Sequence, residues 1–289
     1  MADSRRPDVV LVTGRHMRRP DPEIHLLVAA LEQQSIDVVI APWDDATAWE
    51  SVPLVVVRSP WDYAEAHVEF LGWVRSVAAV TRMVNPREVL EWNSHKSYLL
   101  DLASVGVPTI ATSLVDRGAS NAHQAHTLAM YPDEIVIKPA VSVGAIGALR
   151  AASSSLEAAA HLASLASTGD VLVQPLATAV LHGGESSLIY FGGEFSHAIR
   201  KLPADGDYRV QEHHGGRVVP HEPTDDEFAV AAATLAAAPA ATAYARVDLV
   251  QVDGSAAVME LEAIEPQLFL DHDAPAAGRF AAHIATLLR

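Results

Sequence analysis

Three carboxylates near the C-terminus have the types and spacing of a cation site. Glu260 and Glu262 lie two residues apart in an apolar run, so on a β-strand their side chains share one face. Asp248 precedes them and can face them across a hairpin whose turn is Asp253-Gly254. Carboxylate oxygens suit Mg²⁺ that is shared with nucleotide phosphates. The alternative is a solvated sheet face paired with Arg246 and other bases, which the apolar residues between the acids disfavour.

A lysine at a strand end precedes a loop of small residues. Lys138 follows a β-branched run, and the loop at 142–147 contains Gly144 and Gly147. Backbone N–H groups of such a loop can approach phosphate oxygens, while the ammonium neutralises their charge. This is not a P-loop, because no Gly-Lys-Ser/Thr ends it. For this feature alone, an exposed lysine beside an ordinary hairpin loop is the simpler interpretation.

Composition and missing motifs exclude several kinds of chemistry. The 289 residues include no cysteine, which excludes disulfides and thiolate chemistry. A formal charge of −16 disfavours nucleic acid and anionic membrane surfaces as partners. Without GxSxG, GxGxxG or HExxH, hydrolase, nicotinamide and histidine–zinc chemistry have little support, although His123 with His126 and His213 with His214 are close pairs. With no signal peptide apparent, we expect a cytoplasmic protein.

The elements that must position these residues form three modules of an α/β protein. Residues 1–92 alternate apolar strands, near 8–13, 37–41, 53–58 and 82–85, with helices, which predicts a parallel sheet. Residues 93–173 begin with Asn93 and Ser94, predicted to cap a helix through Ser104, and continue as a small α+β lid. Residues 174–289 hold the carboxylate hairpin and predict a C-terminal sheet domain.

Taken together and in order, several features resemble the ATP-grasp superfamily of ligases. They are Lys96, Lys138 with its loop, the strand at 171–176, Glu185, Lys201, Asp248, Glu260 and Glu262. The resemblance covers about 93–266, and the first 90 residues look like the α/β domain that precedes the grasp in D-alanine:D-alanine ligase. It implies the ATP-grasp fold, with an N-terminal α/β domain, a central lid and a C-terminal sheet domain.

The resemblance also implies roles for individual residues. Lys96, Lys138 and Lys201 would hold phosphates, Glu185 the ribose, and Arg246 the acyl phosphate. The remaining ATP-binding residues would be Ser142, Val143, Gly144 and Gly147 in the loop, with Gln174, Pro175 and Leu176 at the adenine hinge. Asp248, Glu260 and Glu262 would bind two Mg²⁺ ions, with Mn²⁺ as the alternative metal, and Glu265 stays open as a bridging ligand.

More narrowly, three runs look like the D-cycloserine synthetase family. They are VRSPWDY from Val57, EWNSHK from Glu91 and ELEAIEP from Glu260. This implies that ATP activates the carboxylate of O-ureido-D-serine and that its own nitrogen closes the ring. The substrate would be a small amino-acid-like molecule with a free carboxylate. Arg58 is the candidate clamp for that carboxylate, with a surface arginine as the alternative interpretation.

Several questions stay open at this point. An intermolecular amide ligase that joins two amino acids would use the same nucleotide site, and a non-catalytic ATP-binding regulator would share its motifs. Arg209 is a second candidate for the substrate carboxylate. The oligomeric state is also open, with a homo-oligomer among the alternatives.

Overall fold

The described residues form three β-sheets in a computed structural model of the chain. The structure describes residues 6–17, 19–204, 209–210 and 215–289. Helices and strands are both well represented, so the predicted α/β class is confirmed. Within the described residues, none of the helices has the length and apolar character needed to cross a membrane.

The N-terminal sheet is parallel, as predicted. Its strands are β1 (Val9–Thr13), β2 (Val38–Pro42), β3 (Leu54–Ser59) and β4 (Arg82–Val84), in the order β2-β1-β3-β4. Helices α1 (Ile24–Gln33) and α2 (His67–Ala78) cover it. Val9 and Leu11 pack in one core while Val10 and Val12 pack in another, so β1 is buried on both faces. Burial of both faces accounts for its continuous apolar run.

The central sheet is antiparallel. It contains β5 (Ser113–Val115), β6 (Glu134–Pro139), β7 (Leu149–Ala152) and β8 (Val171–Pro175), in the order β5-β8-β6-β7. Helices α5 (Asn121–Ala129) and α6 (Leu156–Ala166) pack on it, and the side chain of Ser155 caps α6 by accepting from Ala158 N–H. The sheet holds Lys138 near the end of β6 and the hinge segment at the end of β8.

The C-terminal sheet carries the acidic hairpin. Its strands are β9 (Glu185–Phe191), β10 (Glu194–Leu202), β11 (Arg217–Pro220), β12 (Tyr244–Val252) and β13 (Ser255–Glu262), in the order β11-β10-β9-β12-β13. Short helix α7 (Val180–Gly183) precedes β9. Helix α8 (Asp225–Ala236) starts at a capping box formed by Thr224 and Glu227. All the pairings within this sheet are antiparallel.

The prediction that Asn93 and Ser94 cap a helix is wrong. Helix α3 (Arg87–Asn93) ends at this position, and a separate helix, α4 (Tyr98–Ser104), follows. The buried amide of Asn93 instead donates to the carbonyl of Leu261 and accepts from the N–H of Ala263, each at 2.8 Å. The amide therefore satisfies the backbone at the end of β13 rather than a helix terminus.

The N- and C-terminal modules share a hydrophobic core. The last helix, α9 (Ala276–Leu287), places Phe280 and Ile284 in the same buried cluster as Leu27 and Leu31 of α1. Helix α4 packs on the C-terminal sheet, where Leu102 joins the cluster that contains Val247. The boundaries at 92 and 173 stay predictions, but the shared core keeps the sequence-distant parts of the site together.

Candidate active site

A cavity of about 480 Å³ lies where the three sheets meet. The predicted site residues that line it are Lys96, Lys138, Ser142, Val143, Gly144, Gln174, Pro175, Leu176, Glu185, Lys201, Arg246, Asp248, Glu260 and Glu262. Arg209 and Glu265 line it as well. Residues from all three modules therefore meet at one cavity, whose size is in the range of ligand-binding sites.

The hairpin of β12 and β13 sets the register of the acidic residues. Asp248 lies opposite Glu260, and Arg246 lies opposite Glu262, as the strand periodicity predicted. The guanidinium of Arg246 donates two hydrogen bonds of 2.8 Å to Asp248 and also contacts Glu262. Ser187 of β9 donates to Asp248 at 2.5 Å. Burial alone would raise the pKa of Asp248, but Arg246 and Lys201 outweigh it and hold that pKa well below its usual range.

The pairing of β9 and β10 brings a buried lysine to the same carboxylates. Lys201 lies opposite Glu185, forms an ion pair with it, and donates to Asp248 at 3.1 Å. Burial raises the pKa of Glu185 to about 7, although Lys201 opposes the rise. Gly184 has φ 71°, and a Cβ there would lie 2.2 Å from the carbonyl oxygen of Lys201. Glycine is therefore required where β9 begins.

The chain contains only three lysines, and all three line this cavity. Lys96 pairs with Glu260 at 2.7 Å and donates to the carbonyl of Ser142 at 2.9 Å. Lys138 has no hydrogen bond or ion pair with any residue that the structure describes, and burial, together with Lys96, lowers its pKa. This concentration of ammonium groups fits a polyanion and is a signal in the composition that sequence reasoning overlooked.

The loop at 142–147 covers one side of the cavity. Gly144 and Ala145 both have positive φ, 64° and 62°. Val141 and Val143 pack against the N-terminal core that contains Tyr63. Gly147 does not line the cavity, and a Cβ there would meet Pro139 at 2.9 Å. Its role in this structure is to allow the loop to turn back beside β6.

The hinge segment lines an apolar part of the cavity. Pro175 and Leu176 lie there with Val180 and Met259. The N–H of Leu176 donates to the carbonyl of Glu134 at 2.9 Å, so this group is already used within the protein. The side chain of Gln174 likewise donates to Thr112 at 2.9 Å. A flat apolar ring fits these walls, but the hinge polar groups named here have internal partners.

The structure corrects the placement of Arg58. Its guanidinium is 1% exposed, lies outside the cavity lining, and forms a 2.7 Å ion pair with Glu23. It also donates to the carbonyl of Pro266 at 2.6 Å, and its Nε lies 3.4 Å from Asp21. The partners precede Arg58 by 35 and 37 residues, so strand-end spacing alone could not reveal them. In this structure the guanidinium of Arg58 therefore contacts groups inside the protein and does not reach the cavity in which the clamp was expected.

Several cavity residues were not predicted as ligands. His16, Arg19, Trp61 and Tyr63 line the side formed by the N-terminal module, and Arg19 lies over the ring of Trp61. The sequence indicated Trp61 and Tyr63 only through the resemblance of the run from Val57 to Tyr63 to a known family. Its aromatic residues follow the end of β3, where side chains reach the junction of the modules.

Asp248, Glu260 and Glu262 form an acidic wall of the cavity. Their carboxylate oxygens are suitable ligands for a divalent cation. Among the described residues, no three His, Asp or Glu side chains are already grouped as metal ligands, because Asp248, Glu260 and Glu262 contact bases instead. Burial raises the pKa of Glu262, and burial with Glu262 raises that of Glu265 to about 8. Carboxylate oxygens are the ligands that Mg²⁺ prefers, so Asp248, Glu260 and Glu262 could hold a divalent cation if it displaced part of their contact with the bases. The pair His213 and His214 lies outside the described residues.

Comparisons with known proteins agree with this geometry. Residues 9–85 match the family described as D-cycloserine synthetase DcsG, N-terminal domain, and residues 103–244 match the prokaryotic glutathione synthetase ATP-grasp domain. The chain is 36% identical to the cycloserine biosynthesis protein DcsG of Streptomyces lavendulae, over 97% of this chain and 99% of that one. It is 26% identical to a glutathione synthetase of Prochlorococcus marinus over 68% of this chain and 64% of the relative.

Solved structures show the same fold. A crystal structure of D-cycloserine synthetase DcsG matches with a TM-score of 0.88 and 35% identity, over 97% of this chain and 99% of that one. D-alanine–D-alanine ligase from Bacillus anthracis matches with a TM-score of 0.71 at 14% identity, over 98% and 97%, which supports the fold alone. The predicted ATP-grasp fold is confirmed, and the chain belongs to the D-cycloserine synthetase DcsG family of ATP-dependent ligases.

Proposed function

We propose that this ligase closes O-ureido-D-serine to D-cycloserine at the expense of ATP. The observation that carries the proposal is a single cavity in which three lysines and Arg246 face Asp248, Glu260 and Glu262, with aromatic residues of the N-terminal module at the other side. The full-length similarity to DcsG supports the choice of substrate.

The lysines would bind the triphosphate. Lys138, which has no partner in the described residues, is free to contact phosphate oxygens, and Lys96 and Lys201 can exchange part of their contact with Glu260 and Asp248 for phosphate. The apolar walls at Pro175 and Leu176 would contact adenine. Glu185, bound to Lys201, would accept from the ribose only if that ion pair loosens.

The acidic residues would hold Mg²⁺, and we propose two ions. Asp248, Glu260 and Glu262 supply carboxylate oxygens on adjacent strand positions. When bound, the metal neutralises phosphate charge and aligns the γ-phosphoryl group. Arg246 would then be released from Asp248 and Glu262 enough to donate to the oxygens of the acyl phosphate.

The reaction has three covalent steps. The substrate carboxylate attacks the γ-phosphorus, which forms a C–O–P linkage and releases ADP. The nitrogen bonded to the side-chain oxygen then attacks the carbonyl carbon and loses a proton as phosphate leaves, so that the ring C–N bond replaces C–O. After ring closure, water attacks the carbamoyl carbon, the ring nitrogen takes up a proton as its bond to that carbon breaks, and the released carbamic acid breaks down to CO₂ and ammonia. Holding both groups of one molecule together makes the second step intramolecular.

Water must be excluded from the acyl phosphate, because hydrolysis competes with ring closure. The loop at 142–147 covers the cavity through Val143 and its contacts with the N-terminal core. Lys96 fixes the loop by donating to the carbonyl of Ser142. Arg209 lines the cavity and remains the candidate for orienting the substrate carboxylate.

The test is an ADP-release assay with Mg²⁺ and O-ureido-D-serine, with the product identified by mass spectrometry. We expect ADP and D-cycloserine from this one amino acid. A dipeptide ligase would release no ADP until a second amino acid is added, and a regulator would bind ATP without releasing ADP.

Lys138→Met should lower kcat/KM by about 10²- to 10³-fold, because the positive charge that contacts the phosphates is lost. The exposed base Arg117 offers the control, Arg117→Met, which should match the unaltered protein.

A further inference from the structure

Glu265 is a buried carboxylate that the nucleotide scheme does not use. It follows β13 and lines the cavity, yet only 9% of the residue is exposed. Its backbone is fixed, because Trp61 donates its indole N–H to the Glu265 carbonyl at 2.9 Å and Arg58 donates to the next carbonyl, that of Pro266. The backbone of Glu265 is thus held beside Trp61, at the edge of the cavity that the N-terminal module forms.

The Glu265 carboxylate has no hydrogen bond or ion pair with any residue in the described part of the chain. Four other acids of the cavity each contact a base: Asp248 and Glu262 contact Arg246, Glu185 contacts Lys201, and Glu260 contacts Lys96. A fifth, the buried Asp62, accepts from the N–H of His16 and the indole N–H of Trp43. A buried carboxylate without a partner is costly, so it is retained where a ligand supplies the partner.

Tyr63 shares this part of the cavity. It is 3% exposed, and its hydroxyl has no hydrogen-bond partner among the described residues. Trp61, two residues before Tyr63, donates its indole N–H to the Glu265 carbonyl, so the segments that carry Tyr63 and Glu265 are joined here. The Glu265 carboxylate and the Tyr63 hydroxyl therefore line the same cavity beside Trp61.

We infer that Glu265, assisted by the Tyr63 hydroxyl, binds the α-ammonium group of the amino-acid substrate. The inference rests on the proposed function, because it assumes an amino-acid substrate with its carboxylate at the γ-phosphate. An ammonium has three donors and no acceptor, which matches a carboxylate and a hydroxyl as its acceptors. A hydrated divalent ion instead prefers several carboxylates, as on the wall of Asp248 and Glu260.

This assignment makes Glu265 a specificity-determining residue. A carboxylic acid that lacks the α-ammonium would leave Glu265 and Tyr63 buried without partners, and buried polar groups without partners discriminate strongly between ligands. The subsite would therefore select amino acids over the corresponding des-amino acids, whereas the phosphate and metal contacts would treat both alike.

The experiment compares Glu265→Gln with the unaltered ligase on two substrates, O-ureido-D-serine and its des-amino analogue, 3-(ureidooxy)propanoic acid. Loss of the charge should raise KM for the amino acid by about 10- to 100-fold. KM for the analogue, KM for ATP and the Mg²⁺ concentration for half-maximal rate should change less than about threefold. Glu222→Gln, which removes an exposed carboxylate outside the cavity, is the matched control.

Other outcomes would overturn the inference. A higher Mg²⁺ requirement in Glu265→Gln, with KM for the amino acid unchanged, would make Glu265 a metal ligand. Equal losses on both substrates would show a structural role. If the unaltered protein released no ADP with either compound, the proposed function would fail; calorimetric titration of the two compounds in the presence of a non-hydrolysable ATP analogue would still decide whether Glu265 distinguishes them.

Discussion

Arg58 and Arg246 are both buried arginines that contact two carboxylates, but only one of them lies on the cavity. Arg58 is enclosed by Asp21, Glu23 and the carbonyl of Pro266. Arg246 contacts Asp248, Glu262 and the carbonyl of Gln267, and its side chain also lines the cavity. The same chemical unit is therefore sealed inside the protein in one place and open to the cavity in the other.

The difference lies in what surrounds each cluster. Glu23 also accepts from the N–H groups of Leu268 and Leu270, so the Arg58 cluster joins the N-terminal module to the segment after β13. At Arg246 the neighbours are Lys201 and further acids, and the open side is the cavity. Removing one partner from a sealed cluster leaves a buried charge and lowers the stability of the protein. In a cluster that is open to a cavity, ions or water can partly replace the missing partner.

The largest effect is expected for Arg58→Met. Removing the cation leaves Glu23 and Asp21 buried with less compensation, which should lower the free energy of unfolding by about 3–5 kcal/mol. Urea unfolding followed by tryptophan fluorescence measures the loss. The exposed Arg75, which pairs with Glu91 at the surface, gives the control Arg75→Met, for which a change below about 1 kcal/mol is expected.

Measuring KM for the amino acid distinguishes a structural role of Arg58 from the substrate-clamp role that the sequence suggested. Below its unfolding temperature, Arg58→Met should keep KM for the amino acid within about threefold of the unaltered ligase, because the guanidinium does not line the cavity. A normal stability with a greatly raised KM would reverse the comparison and restore Arg58 as a substrate ligand.

Arg246→Met is the complementary change, with the next largest effect. Loss of a donor to the acyl phosphate should lower kcat by about 10²- to 10³-fold, equivalent to about 2.7–4 kcal/mol of transition-state stabilisation. Stability should fall less than in Arg58→Met, because Lys201 still contacts Asp248 and the cavity admits water. Single-turnover kinetics and urea unfolding of the same sample provide both numbers. A full kcat with a large loss of stability would show that Arg246 is structural as well.

The sequence predicted the register of the hairpin that carries Arg246, but not the surroundings of Arg58, for a physical reason. Strand side chains alternate strictly, so the pairing of Asp248 with Glu260 followed from a short hairpin. The partners of Arg58 come from another element, and no local periodicity connects them. Glu265 follows the end of β13, where alternation no longer applies, so its direction could not be read from the pattern.

The difference between local and distant contacts also decides which elements of the fold the sequence predicts correctly. The N-terminal strands were predictable because both faces of β1 are buried and its apolar run is continuous. The break between α3 and α4 was not predictable. Asparagine commonly caps helices, and the contact that Asn93 makes with β13 joins residues far apart in the sequence. Helix α9 packs on α1 about 250 residues earlier in the chain, and that contact leaves no local signal.

A smaller effect is expected from pH. It acts through Glu265, which neither the Arg58 cluster nor the Arg246 cluster neutralises. Burial and the neighbouring acids raise the pKa of Glu265 to about 8 in the folded state, above its ordinary value near 4.5. Between those pH values the folded protein keeps a proton that the unfolded chain releases, so this group lowers stability as pH rises, and the loss is complete above about pH 8.

Glu265→Gln removes that titration. Without Mg²⁺ or nucleotide, the variant and the unaltered ligase should be equally stable at pH 5, and the variant should gain roughly 1–2 kcal/mol by pH 9, since one pKa unit corresponds to about 1.4 kcal/mol and cavity water screens the charge. Urea unfolding at the two pH values measures the difference. A constant difference at both would mean that Glu265 titrates normally and has a compensating partner.

The smallest effect should come from an arginine–carboxylate pair at the surface. Arg150 donates to both oxygens of Glu134, at 3.0 and 2.7 Å, but 26% of the arginine side chain and 46% of the glutamate side chain are exposed. Glu134→Gln should therefore change the free energy of unfolding far less than Arg58→Met does, and less still in high salt, because water and ions screen the pair. If urea unfolding showed a loss as large as that of Arg58→Met, burial would not be what separates the three arginines.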